Sequence, residues 1–110
     1  MFTDIHYQLG GLEFKSKFLK PEGDGPFPVV LVAPDWSGLN NFALKNATTL
    51  RDHGYAALAI DIYGDGQVYE TKEAKADAMA VLMEDRRGLR ERLQAAYQAA
   101  KGVANSKTKP

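Results

Sequence analysis

The chain contains no cysteine. Within these residues that excludes a disulfide, a thiolate metal site and a cysteine nucleophile. Serine is scarce, with Ser16, Ser37 and Ser106 the only three, and none sits in a Gly-x-Ser-x-Gly elbow. Histidine is limited to His6 and His53, and no grouping of residues has metal-ligand spacing, so no metal is expected. No apolar run reaches the length that spans a bilayer. Met1 leads straight into alternating polar and apolar residues, which is not the pattern of a signal peptide. Net charge is missing too: 14 Lys and Arg offset 14 Asp and Glu. A nucleic-acid or membrane-surface role therefore has no electrostatic support. What is present, 110 residues that are 45% hydrophobic and 25% charged, suits a single soluble domain, residues 1–110, and not two. A cytoplasmic location is the expectation.

The zero balance hides a gradient. Residues 61–85 carry two basic and seven acidic side chains, and residues 86–110 carry seven basic and one acidic. Helical faces that attract each other or lie solvated account for this without a charged partner.

Alternation from Ile5 to Phe18, broken by Gly10-Gly11, predicts a β-hairpin with a two-residue turn that pairs Leu9 with Leu12 and Tyr7 with Phe14. Lys20 to Pro28 reads as a loop. Val29 to Ala33 is a continuous apolar run bounded by Pro28 and Pro34, the signature of a strand buried on both faces. Pro34 to Gly38 is a turn. A helix capped by Asn40 follows, with Leu39, Ala43, Ala47 and Leu50 on one face and Gly54 at its C-terminus. Tyr55 to Ile60 is a second buried strand, ending at Asp61, and Tyr63 to Gly66 turns the chain. Residues from about Glu70 to Lys101 are helical in composition, with Gly88 as the expected break. Beyond it Leu89, Leu93, Ala96 or Tyr97, and Ala100 form an apolar stripe. Gly102 to Pro110 reads as a polar loop. The expected fold is α/β: a β-hairpin, then a right-handed βαβ unit, then a long helical segment.

Several of these pieces occur together in one family. The strand Pro28-Val29-Val30-Leu31-Val32 leads into Asp35-Trp36-Ser37-Gly38-Leu39-Asn40. A helix ends at His53-Gly54-Tyr55, and Ala57 to Gly66 reads A-L-A-I-D-I-Y-G-x-G. Asp85, Arg86, Leu89, Arg90, Arg92 and Leu93 add a D-R-x-x-L-R-x-R-L pattern. This ordered set resembles the dienelactone hydrolase family of α/β-hydrolases. The resemblance implies the N-terminal part of a three-layer α/β-hydrolase-type sheet and a parent reaction of ester or lactone hydrolysis without a cofactor. The partner would be a small ester or lactone substrate. Family members carry a Gly-x-Cys-x-Gly nucleophile elbow, then an Asp and a His. None of these follows here, so the chain is expected to be an incomplete domain, inactive alone, with an open sheet edge through which it self-associates. The alternative is a complete small α/β binding or interaction module without catalysis. A flavodoxin-like nucleotide binder fits poorly, because no phosphate loop follows the Val29–Ala33 strand.

Ligands of open α/β sheets bind beyond the carboxyl ends of the strands, which singles out Pro34 to Gly38. By resemblance, the Trp36 backbone N–H is one donor of an oxyanion hole. Asp35 and Tyr63 are substrate-binding candidates. The family usually has His-Glu or Gln-Glu where this chain has Pro34-Asp35, one methylene shorter. Asp61 reads as structural, accepting hydrogen bonds from turn amides. His6 and His53 also read as structural. Ser37 lacks the glycine that precedes an elbow nucleophile. Arg86, Arg90 and Arg92 cannot all face one site, and Gly64-x-Gly66 lacks the rest of a phosphate-binding loop.

Overall fold

The computed structural model describes residues 2–107, with side-chain surroundings through residue 102. The elements in chain order are β1 (Thr3–Leu9), β2 (Leu12–Leu19), β3 (Val29–Val32), α1 (Asn41–Asp52), β4 (Ala56–Ala59), α2 (Lys72–Glu84) and α3 (Arg86–Lys107). The strands form one mixed sheet in the order β1-β2-β4-β3. The β1 and β2 strands are antiparallel, β2 and β4 are antiparallel, and β3 and β4 are parallel.

The hairpin turns where the glycines allow it. Gly10 and Gly11 have φ of 61° and 81°, the positive pair that a two-residue turn matched to strand twist requires. The register pairs Leu9 with Leu12 and Tyr7 with Phe14. The rings of that second pair stack at 5.7 Å. The helix α1 starts where Asn40 accepts a hydrogen bond from the Ala43 N–H, at 3.2 Å. It stops in a complete Schellman arrangement, with Gly54 N–H donating to Arg51 O and Tyr55 N–H to Leu50 O.

Helices cover both faces of the sheet. Ala57 and Ala59 of β4 pack with Ala47 of α1, while Ala56 and Leu58 face the opposite way, with Ala96 and Ala100 of α3. All four β4 residues are buried, as expected for the inner strand of a three-layer α/β/α stack. No helix among the described residues is long and apolar enough to cross a membrane.

Four expectations need correction. The β3 run packs against the core on both faces, Val29 and Leu31 on one and Val30 and Val32 on the other, but is not fully buried. Only Val32 is buried, because β3 is the outermost strand and only β4 pairs with it. The long helical segment breaks at Asp85, not at Gly88. Asp85 caps both helices: its N–H donates to Leu82 O, and its carboxylate accepts from the Gly88 N–H at 2.9 Å. Gly88 is small for that reason, since a Cβ there would collide with the Asp85 carboxylate. The stripe on α3 is displaced. Leu93 and Tyr97 are exposed, and Arg92 takes the inward position beside Leu89, Ala96 and Ala100. Finally, Gly102 to Lys107 is helix rather than loop. One interior glycine costs only about 1 kcal/mol, and no proline intervenes to stop propagation. Residues 108–110 of the expected loop lie outside the described part.

The basic segment lies mostly on α3, but of the acidic segment only Glu73, Asp77 and Glu84 lie on α2. No ion pair joins α2 and α3 among the described residues, and part of the gradient is held in the loops and the interior, as Asp61 and Arg92 show.

Candidate active site

Because β3 and β4 are parallel neighbours, the loops that leave their carboxyl ends lie side by side. Asp35 to Gly38 leaves β3, and Asp61 to Tyr69 leaves β4.

The first loop is a type I turn. Gly38 N–H donates to Asp35 O at 3.1 Å. Neither Trp36 nor Ser37 has a positive φ. The Asp35 carboxylate accepts from the Ser37 N–H at 2.8 Å, the side-chain turn that makes Asp a preferred first residue. One peptide plane is therefore fixed. The Asp35 carbonyl points into the turn toward Gly38, so the Trp36 N–H, antiparallel to it across a trans peptide, points outward. That N–H has no hydrogen-bond partner among the described residues. The Trp36 side chain is exposed, with the Lys75 ammonium 5.9 Å from its ring centroid.

The second loop is built on Asp61, which is 1% exposed. Its carboxylate accepts hydrogen bonds from the backbone N–H of Gly64 (3.0 Å), Gly66 (2.7 Å) and Lys15 (2.9 Å). Its own N–H donates to Ser16 Oγ, which also hydrogen-bonds the Tyr7 hydroxyl. Within this loop Gly64, Asp65 and Gly66 all have positive φ, a tight path that the carboxylate holds from inside. Asp61 is thus structural, as its sequence position implies.

Two hydrogen bonds, the second of which forms a backbone bridge, clamp the loops together. The Tyr63 hydroxyl donates to Trp36 O at 2.8 Å. Tyr69 N–H donates to Ser37 O at 2.8 Å. Gly38 forms an isolated antiparallel bridge with Val68. Burial, helped by the nearby Tyr69 and Asp35, pushes the Tyr63 hydroxyl above its ordinary value, so it stays protonated and able to donate. Beside the clamp lies a cleft of about 250 Å³ lined by Tyr63, Tyr69, Leu82, Asp85, Leu89 and Arg92, among others.

Residues 14–110 match the sequence pattern of the dienelactone hydrolase family. The chain belongs to that family. Two solved structures agree: the dienelactone hydrolase-like promiscuous phosphotriesterase P91 from metagenomic libraries, and m3DLH. Each has a TM-score of 0.88 and 33% identity, over 99% of this chain and 45% of its own length. The chain thus spans less than half the length of these relatives. No curated protein matches.

Within this family member the structure brings Asp35, Trp36 and Tyr63 together at one end of the parallel pair. Their side chains have distinct tasks. The Asp35 carboxylate is engaged with its own turn, and the Tyr63 hydroxyl with the Trp36 carbonyl. Ser37 is buried at 5% exposure and has neither histidine near it in its hydrogen bonds. His53 binds the Thr49 carbonyl through Nδ1, and His6 lies 3.8 Å from Glu13 on the hairpin surface. Sequence reasoning missed Tyr69, took Gly38 only as part of the turn, and set Arg92 aside with Arg86 and Arg90. Gly38 offered one signal, since Asp-x-x-Gly is the residue pattern of a type I turn. Arg92 donates to Ile62 O at 2.8 Å, and its guanidinium lies 5.4 Å from the Phe14 ring centroid. Nothing in an apolar-stripe reading points to it.

Proposed function

We propose that these residues form the oxyanion-binding side of a carboxylic ester or lactone hydrolase. The nucleophile and its Asp and His partners would come from outside residues 1–110. The observation that carries this reading is the outward, unpartnered Trp36 N–H at the carboxyl end of β3. As a nucleophile adds to the ester carbonyl, negative charge builds on its oxygen. A fixed N–H that needs no reorganisation is suited to meet that charge. Asp35 contributes by holding the turn, and the exposed Trp36 indole supplies an apolar wall for the substrate. The name of P91 adds phosphotriesters as a second class to assay, since a phosphoryl oxygen develops similar charge.

The test separates the N–H from the indole. Proline suits the second position of a type I turn, so Trp36→Pro removes the donor and keeps the turn, whereas Trp36→Ala removes only the ring. Residues 1–110 alone are expected to leave p-nitrophenyl acetate and an activated phosphotriester unhydrolysed. Joined to the part of P91 outside the match, the chain is expected to gain ester hydrolysis. In that protein Trp36→Pro should lower kcat about a hundredfold relative to Trp36→Ala, the usual effect of losing one oxyanion donor. Equal kcat for the two variants would overturn the assignment of the N–H. Turnover by purified residues 1–110 would overturn the need for outside groups and favour a self-sufficient module.

The sheet edge belongs to the same reading. Val29, Val30 and Leu31 are half-buried on an outer strand, and an apolar edge with open backbone groups invites pairing. Residues 1–110 are expected to associate with a second copy along β3. Sedimentation should show a concentration-dependent shift that Val30→Lys weakens. A monodisperse monomer at all concentrations, with a sharp high thermal transition, would exclude it.

A further inference from the structure

We infer that Tyr63 is a positioning residue for the Trp36 N–H, acting through the peptide bond on the other side of Trp36. This rests on the oxyanion reading of the turn and assigns Tyr63 a task other than substrate contact.

The argument starts from how the turn is held. A type I turn has one internal hydrogen bond, here Gly38 N–H to Asp35 O. That bond fixes the peptide before Trp36. The peptide after Trp36 is not fixed by it, because the carbonyl of the second turn residue points away from the turn. Its N–H, that of Ser37, is held by the Asp35 carboxylate at 2.8 Å, and its carbonyl faces the neighbouring loop. The Tyr63 hydroxyl holds that carbonyl by donating to Trp36 O at 2.8 Å, so the turn is tied to the end of the neighbouring strand as well as to its own Asp35.

Tyr63 is itself well anchored. It is 9% exposed and packs edge-to-face on Tyr69, with ring centroids 5.1 Å apart. Two residues before it, Asp61 is held by three backbone amides. The Tyr63 Cδ2 would lie 3.3 Å from a Cβ placed on Gly38, so the ring also closes the far side of the turn. A rigid strand end thus reaches across to the neighbouring loop through one hydroxyl. Tyr69 N–H on Ser37 O holds the next peptide, and Tyr63 is the side chain that ties this one to the neighbouring loop. Because burial keeps the phenol protonated, the donor persists across the neutral and moderately alkaline range.

Tyr63→Phe removes the oxygen and keeps the ring. Trp36 is the only tryptophan, so its fluorescence reports on this turn alone. In residues 1–110, the variant is expected to lower Trp36 anisotropy and to broaden or split the Trp36 and Ser37 amide resonances. Exchange of the Gly38 amide should accelerate roughly three- to tenfold, the worth of one net hydrogen bond, while the Leu58 amide in β4 stays unchanged. Amides at 36–38 that match the unsubstituted chain would overturn the proposal. So would acceleration shared equally by Leu58, which marks a global loss of stability. If Tyr63→Phe does not fold, Tyr63→Leu and Tyr69→Phe serve as the pair, with the turn expected to loosen only in the former. In the joined enzyme, Tyr63→Phe should lower kcat severalfold at constant KM. An unchanged kcat there, with Trp36→Pro still impaired, removes the positioning role and leaves the oxyanion reading intact. Equal activity of Trp36→Pro and Trp36→Ala removes the oxyanion reading, while the amide data still decide the contact.

Discussion

Asp61→Ala is expected to cost about 4–6 kcal/mol. Its carboxylate satisfies three backbone N–H groups, those of Lys15, Gly64 and Gly66, and alanine satisfies none. Each donor left without a partner costs roughly 1–3 kcal/mol, more when the lost acceptor is charged. The sum falls at the lower end of that range because the Lys15 and Gly66 amides are only partly buried and regain some water. Against a domain stability of about 5–15 kcal/mol, this is enough to unfold much of the population at room temperature. Asp61→Asn keeps one acceptor oxygen but turns an NH₂ toward an amide donor, so a loss of about half is expected. Urea titration followed by circular dichroism measures both. An alanine variant within 1 kcal/mol of the parent would mean that water replaces the carboxylate without penalty, and the loop would then not depend on it. The consequence reaches the site, because the loop that Asp61 shapes carries Tyr63.

How far the sequence discloses this architecture depends on the range of the interaction. Local chemistry is readable. Gly10-Gly11, Asn40 and Gly54 each do what their residue type favours, because turns and caps are settled within a few residues. The helix break shows the limit of that rule. Glycine is the expected breaker, but Asp85 breaks the helix because a side-chain acceptor can cap the next one, and Gly88 continues it. Burial is less readable, since it depends on neighbours. Val29–Val32 and Ala56–Ala59 are equally apolar, yet only the second lies between two strands. The inward position of Arg92 follows the same logic. Its aliphatic stem and guanidinium find Phe14 and the Ile62 carbonyl, and long charged side chains can cover apolar surface in this way.

The site divides along the same line. Asp35, Trp36 and Tyr63 can be placed together because adjacent parallel strands bring their carboxyl-terminal loops into contact. What joins them is not legible. Tyr63 reaches a carbonyl, not a ligand, and the contact spans residues far apart in the chain. The bridge from Gly38 to Val68 and the bond from Tyr69 to Ser37 are also long-range backbone contacts, to which side-chain identity gives little clue.

Gly38→Ala tests the clamp most directly, with Gly54→Ala as its control. The two glycines have nearly the same backbone, φ of 97° and 94°. An L-residue at either pays a conformational penalty of about 1–2 kcal/mol. Their surroundings differ. A Cβ at Gly54 meets nothing within 4 Å, whereas one at Gly38 stands 2.5 Å from the Gln67 carbonyl oxygen. That oxygen belongs to backbone and cannot swing aside as a side chain would. The two loops must separate, which breaks the Gly38–Val68 bridge and strains the bonds from Tyr69 to Ser37 and from Tyr63 to Trp36. Losing one or two net hydrogen bonds at about 1 kcal/mol each, together with the φ penalty, gives an expected cost of about 2–4 kcal/mol for Gly38→Ala. Gly54→Ala should cost about 1–2 kcal/mol. Trp36 emission should shift in the first variant and not in the second. If the two variants are equally stable and leave the tryptophan alike, the loops are not clamped at Gly38. The Trp36 N–H would then owe its direction to the Asp35–Gly38 turn alone.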